Sequence, residues 1–270
     1  METQTWLYDA ILYIYALSLL FYFSDFMNAS RRAKRMGTGL LIFVWVLQTG
    51  YLMYRGVTHL QSAAVTPFEY WLGFSWLLIT ISLMISRFIK IDFIVFFVNV
   101  IGFAVLALNL YSNHGDGQSL AVWRATRELL YIHISLVLCA YAALTIGALF
   151  AGMYLFLHNQ LKRKRWTHFV RRLPSLDTIE RYGDRAVIIG VPMLAMSLAI
   201  AVTSLLVEER LALLFDWKVL SSFATLIMYI IYVYQRAMLK RPGQQLARLY
   251  MFSFGMLLLN ILTNYFSSFH

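Results

Sequence analysis

The chain has 270 residues, 60% hydrophobic and 13% charged, with a formal net charge of +10. A soluble domain of this length carries about 25% charged residues, so the composition excludes an ordinary water-soluble globule and points to the membrane class. The basic excess does not imply nucleic-acid binding, because Lys and Arg cluster in short stretches between apolar runs, where they act as topology signals.

Taken in chain order, the apolar runs fall at 7–25, 38–55, 69–86, 93–111, 129–157, 186–207, 218–235 and 248–268. Each is close to the ~20 residues a helix needs to cross the hydrocarbon core. An open sheet would leave its edges unpaired in lipid, so helices are the only economical reading. The expectation is an all-α integral membrane protein, one domain over 1–270, forming a bundle of about eight transmembrane helices. Met1 to Asp9 hold two acids and no base, unlike the n-region of a signal peptide, so the first run is expected to be retained.

Orientation follows from the basic residues. Arg31, Arg32, Lys34 and Arg35 follow the first run, and Arg87 and Lys90 sit in the short gap after the third. Eight more lie between Lys162 and Arg185, and Arg236, Lys240, Arg241 and Arg248 follow the seventh run. Only Arg55, Arg124, Arg127, Arg210 and Lys218 fall on the other side, out of 23 in all. By the positive-inside rule both chain ends face outward, N-out and C-out.

The 158–185 segment is the largest feature on the inner side. Its Lys162, Arg163, Lys164, Arg165, Arg171 and Arg172 suit an anionic lipid surface, where each base contributes ~1 kcal/mol. They also suit docking of a soluble partner. Within the fifth run, Ala143, Gly147 and Ala151 form a small-xxx-small stripe that lets helix backbones approach. Pro192 should kink the sixth helix. Asn260 and Asn264, one turn apart in the eighth, read as interhelical hydrogen-bonding groups or the lining of a polar cavity. The single cysteine, Cys139, permits no intrachain disulfide and no cysteine-based metal or haem-attachment motif.

Of six histidines, His158 and His168 fall on the inner side, and His59 and His114 in outer loops. His133 lies about one turn inside the outer end of the fifth helix, and His270 ends the chain at the outer end of the eighth. Two imidazoles at similar depth suit the axial positions of one haem, and equally suit zinc or copper. No nucleophile–base pair, carboxylate dyad or glycine-rich phosphate loop is present, and Glu208 and Glu209 are adjacent rather than facing. No enzymatic activity is expected.

Several stretches resemble a known family. They are LYIYALSLLFYFSDF ending at residue 26, IFVWVLQTGYL at 42–52, TPFEYWLGFSW at 66–76, LLYIHISLVLCAYAALTIGALFAGMYL at 129–155, LPSLDTIERYGDRAVIIGVPML at 173–194, and the C-terminal LLNILTNYFSSFH. In this order they are similar to the bacterial HemX proteins, within the wider CcsA-type, ResC-like cytochrome c assembly membrane proteins. The resemblance places His133 and His270 where haem-handling members carry the two outer histidines that flank a haem, and so implies a non-covalent b-type haem. Those members also carry a tryptophan-rich outer segment, WGxxWxWD followed by PKE. Here the corresponding stretch, Val207 to Lys218, matches at Asp216 and Lys218 and lacks the tryptophan platform. The HemX resemblance implies a multi-pass protein of the bacterial cell membrane that lowers the level of glutamyl-tRNA reductase. The alternative it leaves is a haem-handling or haem-transport component of cytochrome c maturation.

Overall fold

A computed structural model of the chain describes residues 2–28, 30–59, 67–88, 92–112, 127–164, 170, 173–207 and 214–263. Among the described residues there are eight α-helices and no strand: α1 Glu2–Asn28, α2 Arg31–His59, α3 Pro67–Phe88, α4 Asp92–Ser112, α5 Arg127–Lys162, α6 Leu176–Val207, α7 Trp217–Ala237 and α8 Gly243–Thr263. Seven are long and apolar enough to cross a membrane; in α4, a 21-residue helix, the corresponding described stretch is Ile94–Leu108. The expected all-α integral membrane bundle is the architecture found.

Every helix starts before its apolar window, and α1 to α5 and α7 also end beyond theirs, because backbone hydrogen bonding continues past the apolar residues until a cap or turn stops it. Helix α6 ends at Val207 as expected, and 264–268 of the eighth window lie outside the described residues. The largest departure is α6, expected from 186 but starting at Leu176. Ser175, just after Pro174, receives the Thr178 amide on its hydroxyl (3.3 Å) and the Ile179 amide on its carbonyl (3.0 Å), which is the chemistry of a helix N-cap. At the other side of this connection α5 continues to Lys162. The 158–185 segment, expected as one basic loop, is therefore helical at both ends, and Arg181 and Arg185 stand on α6. Lys164 and Lys240 take positive φ (54° and 45°) just after α5 and α7, where the chain leaves the helical path.

The helices group into two compact units, 1–122 and 123–270. In the first, α1 packs on α2, α2 on α3, α3 on α4, and α4 closes back on α1; in the second, α5 to α8 close a ring in the same cyclic order. Lipid tails are as apolar as leucine, so close packing and interhelical hydrogen bonds must select these pairings.

In the first unit, Tyr15 on α1 donates to Asn99 on α4 (3.1 Å), whose amide donates to Ser82 on α3 (2.5 Å), and all three side chains are buried. On the α2–α3 seam, Trp45 donates to Thr80 (2.9 Å) and Trp76 donates to Thr49 (2.8 Å), a reciprocal pair of indole–hydroxyl bonds. In the second unit, Gly147 lets α5, α6 and α8 converge. A Cβ there would lie 3.0 Å from Ala186 Cβ and 2.6 Å from Tyr250 Cζ. The packing role expected of the small-residue stripe holds at this position.

Candidate functional site

The second unit carries a polar cluster at the end that the charge pattern places outside. His133 stands near the start of α5 and meets Ser197 of α6, and Lys218 of α7 meets Asn260 of α8. His133 Nδ1 lies 2.9 Å from the Ser197 carbonyl oxygen and 2.9 Å from its hydroxyl. A carbonyl oxygen can only accept, so Nδ1 carries a proton, and in the neutral ring the lone pair is then on Nε2. The Ser197 hydroxyl donates back to the His133 carbonyl at 3.4 Å.

Asn260 ties the same end together. It accepts from the Tyr141 hydroxyl (2.8 Å), and its amide donates to the hydroxyls of Ser221 and Ser222, each at 2.8 Å. The Lys218 ammonium donates to the Asn260 backbone carbonyl at 3.2 Å. Lys218 is the second residue of α7, whose N-cap is Asp216, with its carboxylate accepting from the Lys218 amide at 2.8 Å. Beside it Phe215 and Trp217 are 81% and 75% exposed.

Asn260 thus acts as the interhelical hydrogen-bonding group that its sequence suggested. Asn264 and the second candidate ligand, His270, lie outside the described residues, as do His114 and His168. His158 stacks on Tyr154 at the opposite end of α5, with ring centroids 6.1 Å apart. Of the basic docking residues, Lys162, Arg163 and Lys164 are exposed at the end of α5, while Arg165, Arg171 and Arg172 lie outside the described residues. Among the described residues no three His, Cys, Asp or Glu side chains converge on a metal-binding arrangement.

A second polar constellation, at the opposite end of this unit, is one that sequence reasoning missed. Arg236 on α7 pairs with Glu180 on α6 and with Asp184 one turn further along (2.6 Å), and Tyr232 donates to Asp184 at 3.1 Å. Glu180 also borders Gly243 at the start of α8, where a Cβ would come 2.8 Å from its Oε2. A cavity of about 20 Å³, enough for roughly one water, lies between Tyr154, Glu180, Gly183, Tyr232 and Tyr250. The signal available was the i, i+4 spacing of Glu180 and Asp184, hidden because that stretch reads as loop when only hydropathy is followed.

Long apolar helices with hydroxyl, amide, imidazole and carboxylate groups hydrogen-bonded along their seams define a multi-pass helical membrane protein. The family model described as cytochrome C assembly protein matches residues 7–269. Protein HemX of Brevibacillus brevis is 36% identical over 272 residues, covering 100% of this chain and 99% of its own length. Protein HemX of Bacillus subtilis (strain 168) is 35% identical over 263 residues, covering 97% and 95%. The chain belongs to the cytochrome c assembly protein family and, within it, to the HemX proteins.

Proposed function

We propose that this protein is a non-enzymatic regulator of haem biosynthesis in the bacterial cell membrane, holding haem at its outer end and lowering the level of glutamyl-tRNA reductase. The observation that carries the haem reading is the His133–Ser197 hydrogen bond. Histidines that ligate a metal generally donate their other ring nitrogen to a carbonyl or carboxylate, which fixes the tautomer and orients the ring. His133 has that arrangement, so its donor chemistry fits a haem ligand, with His270 as the second imidazole. Haem, when bound, supplies an iron with axial positions for imidazole nitrogen.

The chain's own residues supply the rest. Ser197 holds the imidazole, and the Asn260 cluster ties α5, α7 and α8 to one another. The 32-residue α6 carries Ser197 towards one end and Glu180 and Asp184 at the other, so one helix spans from the haem site to the inner ion pairs. Regulation by this route requires haem to bind two helix arrangements with different affinity. The partner surface is the basic group Lys162, Arg163, Lys164, Arg165, Arg171 and Arg172, which contacts either the reductase or anionic lipid.

The test is the absorption spectrum of detergent-purified protein, wild type beside His133→Ala and His270→Ala. The expected result is a six-coordinate low-spin haem spectrum that is lost or converted in both variants. A wild type that stays haem-free after haem addition refutes the site. A second reading, haem delivery during cytochrome c maturation, draws on the family match and the exposed Trp217. Deletion separates the two: higher glutamyl-tRNA reductase supports regulation, and loss of covalent c-type haem with unchanged reductase supports delivery.

A further inference from the structure

The first unit holds a buried polar atom that the side chains around it leave unsatisfied. Gln48 on α2 is fully buried, and its Oε1 receives no hydrogen bond among the described residues. Its Nε2 reaches the Ser75 hydroxyl on α3 at 3.5 Å, the outer limit of a hydrogen bond. Turning the amide over would not cure this. Oε1 would then face Ser75, and the N–H donors would be left without acceptors. The hydrocarbon core supplies no solvent, and a buried amide oxygen without a donor is costly. Buried polar groups in folded proteins almost always have a partner, so this one requires a ligand that provides it.

The surroundings fix the class of ligand. Tyr15 on α1, Ser75 and Ser82 on α3 and Asn99 on α4 are fully buried with Gln48, and all five side chains are neutral. An ion would find no opposite charge among them, and a large ligand would find no opening. The Tyr15 proton is committed to Asn99, and the Asn99 amide to Ser82 and the Val95 carbonyl (2.7 Å), so neither is free to serve Gln48. Gly102 on α4 keeps the space beside them clear. A Cβ there would lie 2.7 Å from the Tyr15 hydroxyl oxygen and 3.7 Å from Ser75 Oγ, so both oxygens border the same flank of that helix. A polar contact as long as that from Gln48 to Ser75 is where a bridging water belongs, and an internal water needs two to four polar partners. We propose that an internal water donates to Gln48 Oε1 and bridges it to Ser75 Oγ, with the Tyr15 oxygen as third partner. This water joins α2 to the buried network of α1, α3 and α4, and it is independent of the haem reading.

The test places Gln48→Leu and Gln48→Met in a Ser75→Ala background and unfolds the full-length proteins in mixed dodecylmaltoside–SDS micelles. Replacing an unpaired buried polar atom by an apolar group of similar shape is neutral or stabilising, whereas removing a partner of a bound water destabilises. Ser75→Ala deletes the direct Gln48–Ser75 contact, so in that background the water is what Gln48 has left to bind. Both double variants should unfold at a lower SDS fraction than Ser75→Ala alone. An equal or higher fraction for the better tolerated of the two overturns the proposal. Packing changes also lower that fraction, so a high-resolution density map of the wild-type protein decides between the two causes. The expected result is a separate density peak within hydrogen-bonding reach of Gln48 Oε1 and Ser75 Oγ. A map with Gln48 and Ser75 in direct contact and no such peak overturns the proposal, whatever the micelle assay reads.

Discussion

Gly147 is the position where a single methyl group should do most damage to the second unit. Its added Cβ would overlap the Tyr250 ring, at 2.6 Å from Cζ, and press on Ala186 at 3.0 Å. Tyr250 has little room to yield. It is 1% exposed, edge-packed against Tyr229 and Tyr232 at 5.6 and 5.3 Å, and its hydroxyl donates to the Leu144 carbonyl at 3.1 Å. Overpacking of this kind costs about 1–3 kcal/mol. Displacing the hydroxyl forfeits an interhelical bond of about 0.6 kcal/mol. Gly152→Ala, on the same helix with open space around its Cβ, is the control that cancels the helix-propensity gain of alanine. The difference between the two variants should be roughly 1.5–3.5 kcal/mol. It can be read from equilibrium unfolding in mixed dodecylmaltoside–SDS micelles, followed by circular dichroism. Tyr250→Phe in the Gly147→Ala background removes the atom that clashes first, so the pair should be less destabilised than the sum of the single changes. If Gly147→Ala and Gly152→Ala unfold at the same SDS fraction, the close approach of α5 and α8 described here is wrong.

Arg236→Gln removes the shared partner of Glu180 and Asp184; with these groups 18–36% exposed, the loss should be about 1–2 kcal/mol after allowing for screening, and it should shrink in high salt. A loss that is independent of salt would argue against an ionic role. Asn260→Leu removes bonds to α5 and α7 together and should cost more than Ser221→Ala or Ser222→Ala alone, as measured in the same micelle assay. Orientation is checked with single cysteines in a Cys139→Ala background: Phe215→Cys should label in intact cells with an impermeant maleimide, and Lys240→Cys only after permeabilisation. The reverse pattern would invert the assigned topology. Neutralising Lys162, Arg163 and Lys164 together should reduce co-purification of glutamyl-tRNA reductase, and undiminished recovery would remove this end of α5 from the partner surface.

The composition, the spacing of apolar runs and the one-sided distribution of Lys and Arg already determine a multi-helix membrane protein, because lipid admits only fully hydrogen-bonded spans and each span announces itself by length. The position of His133 near one helix end, the small residues around Gly147 and the bonding role of Asn260 were legible for the same reason, since each depends on local spacing along one helix. Hydropathy missed the early start of α6, where a serine cap and a polar first three turns extend the helix outside the apolar window. It therefore also missed the pairing of Glu180 and Asp184 with Arg236.

Tertiary structure alone decided which polar groups meet. Ser197 lies 64 positions from His133, Asn260 lies 119 from Tyr141, and Arg236 lies 56 from Glu180. Nothing in the local pattern of either partner names the other. In a bundle whose helices face lipid as apolar as their own side chains, these few long-range hydrogen bonds and close glycine contacts carry the specificity of assembly, and they become visible only when the helices are packed.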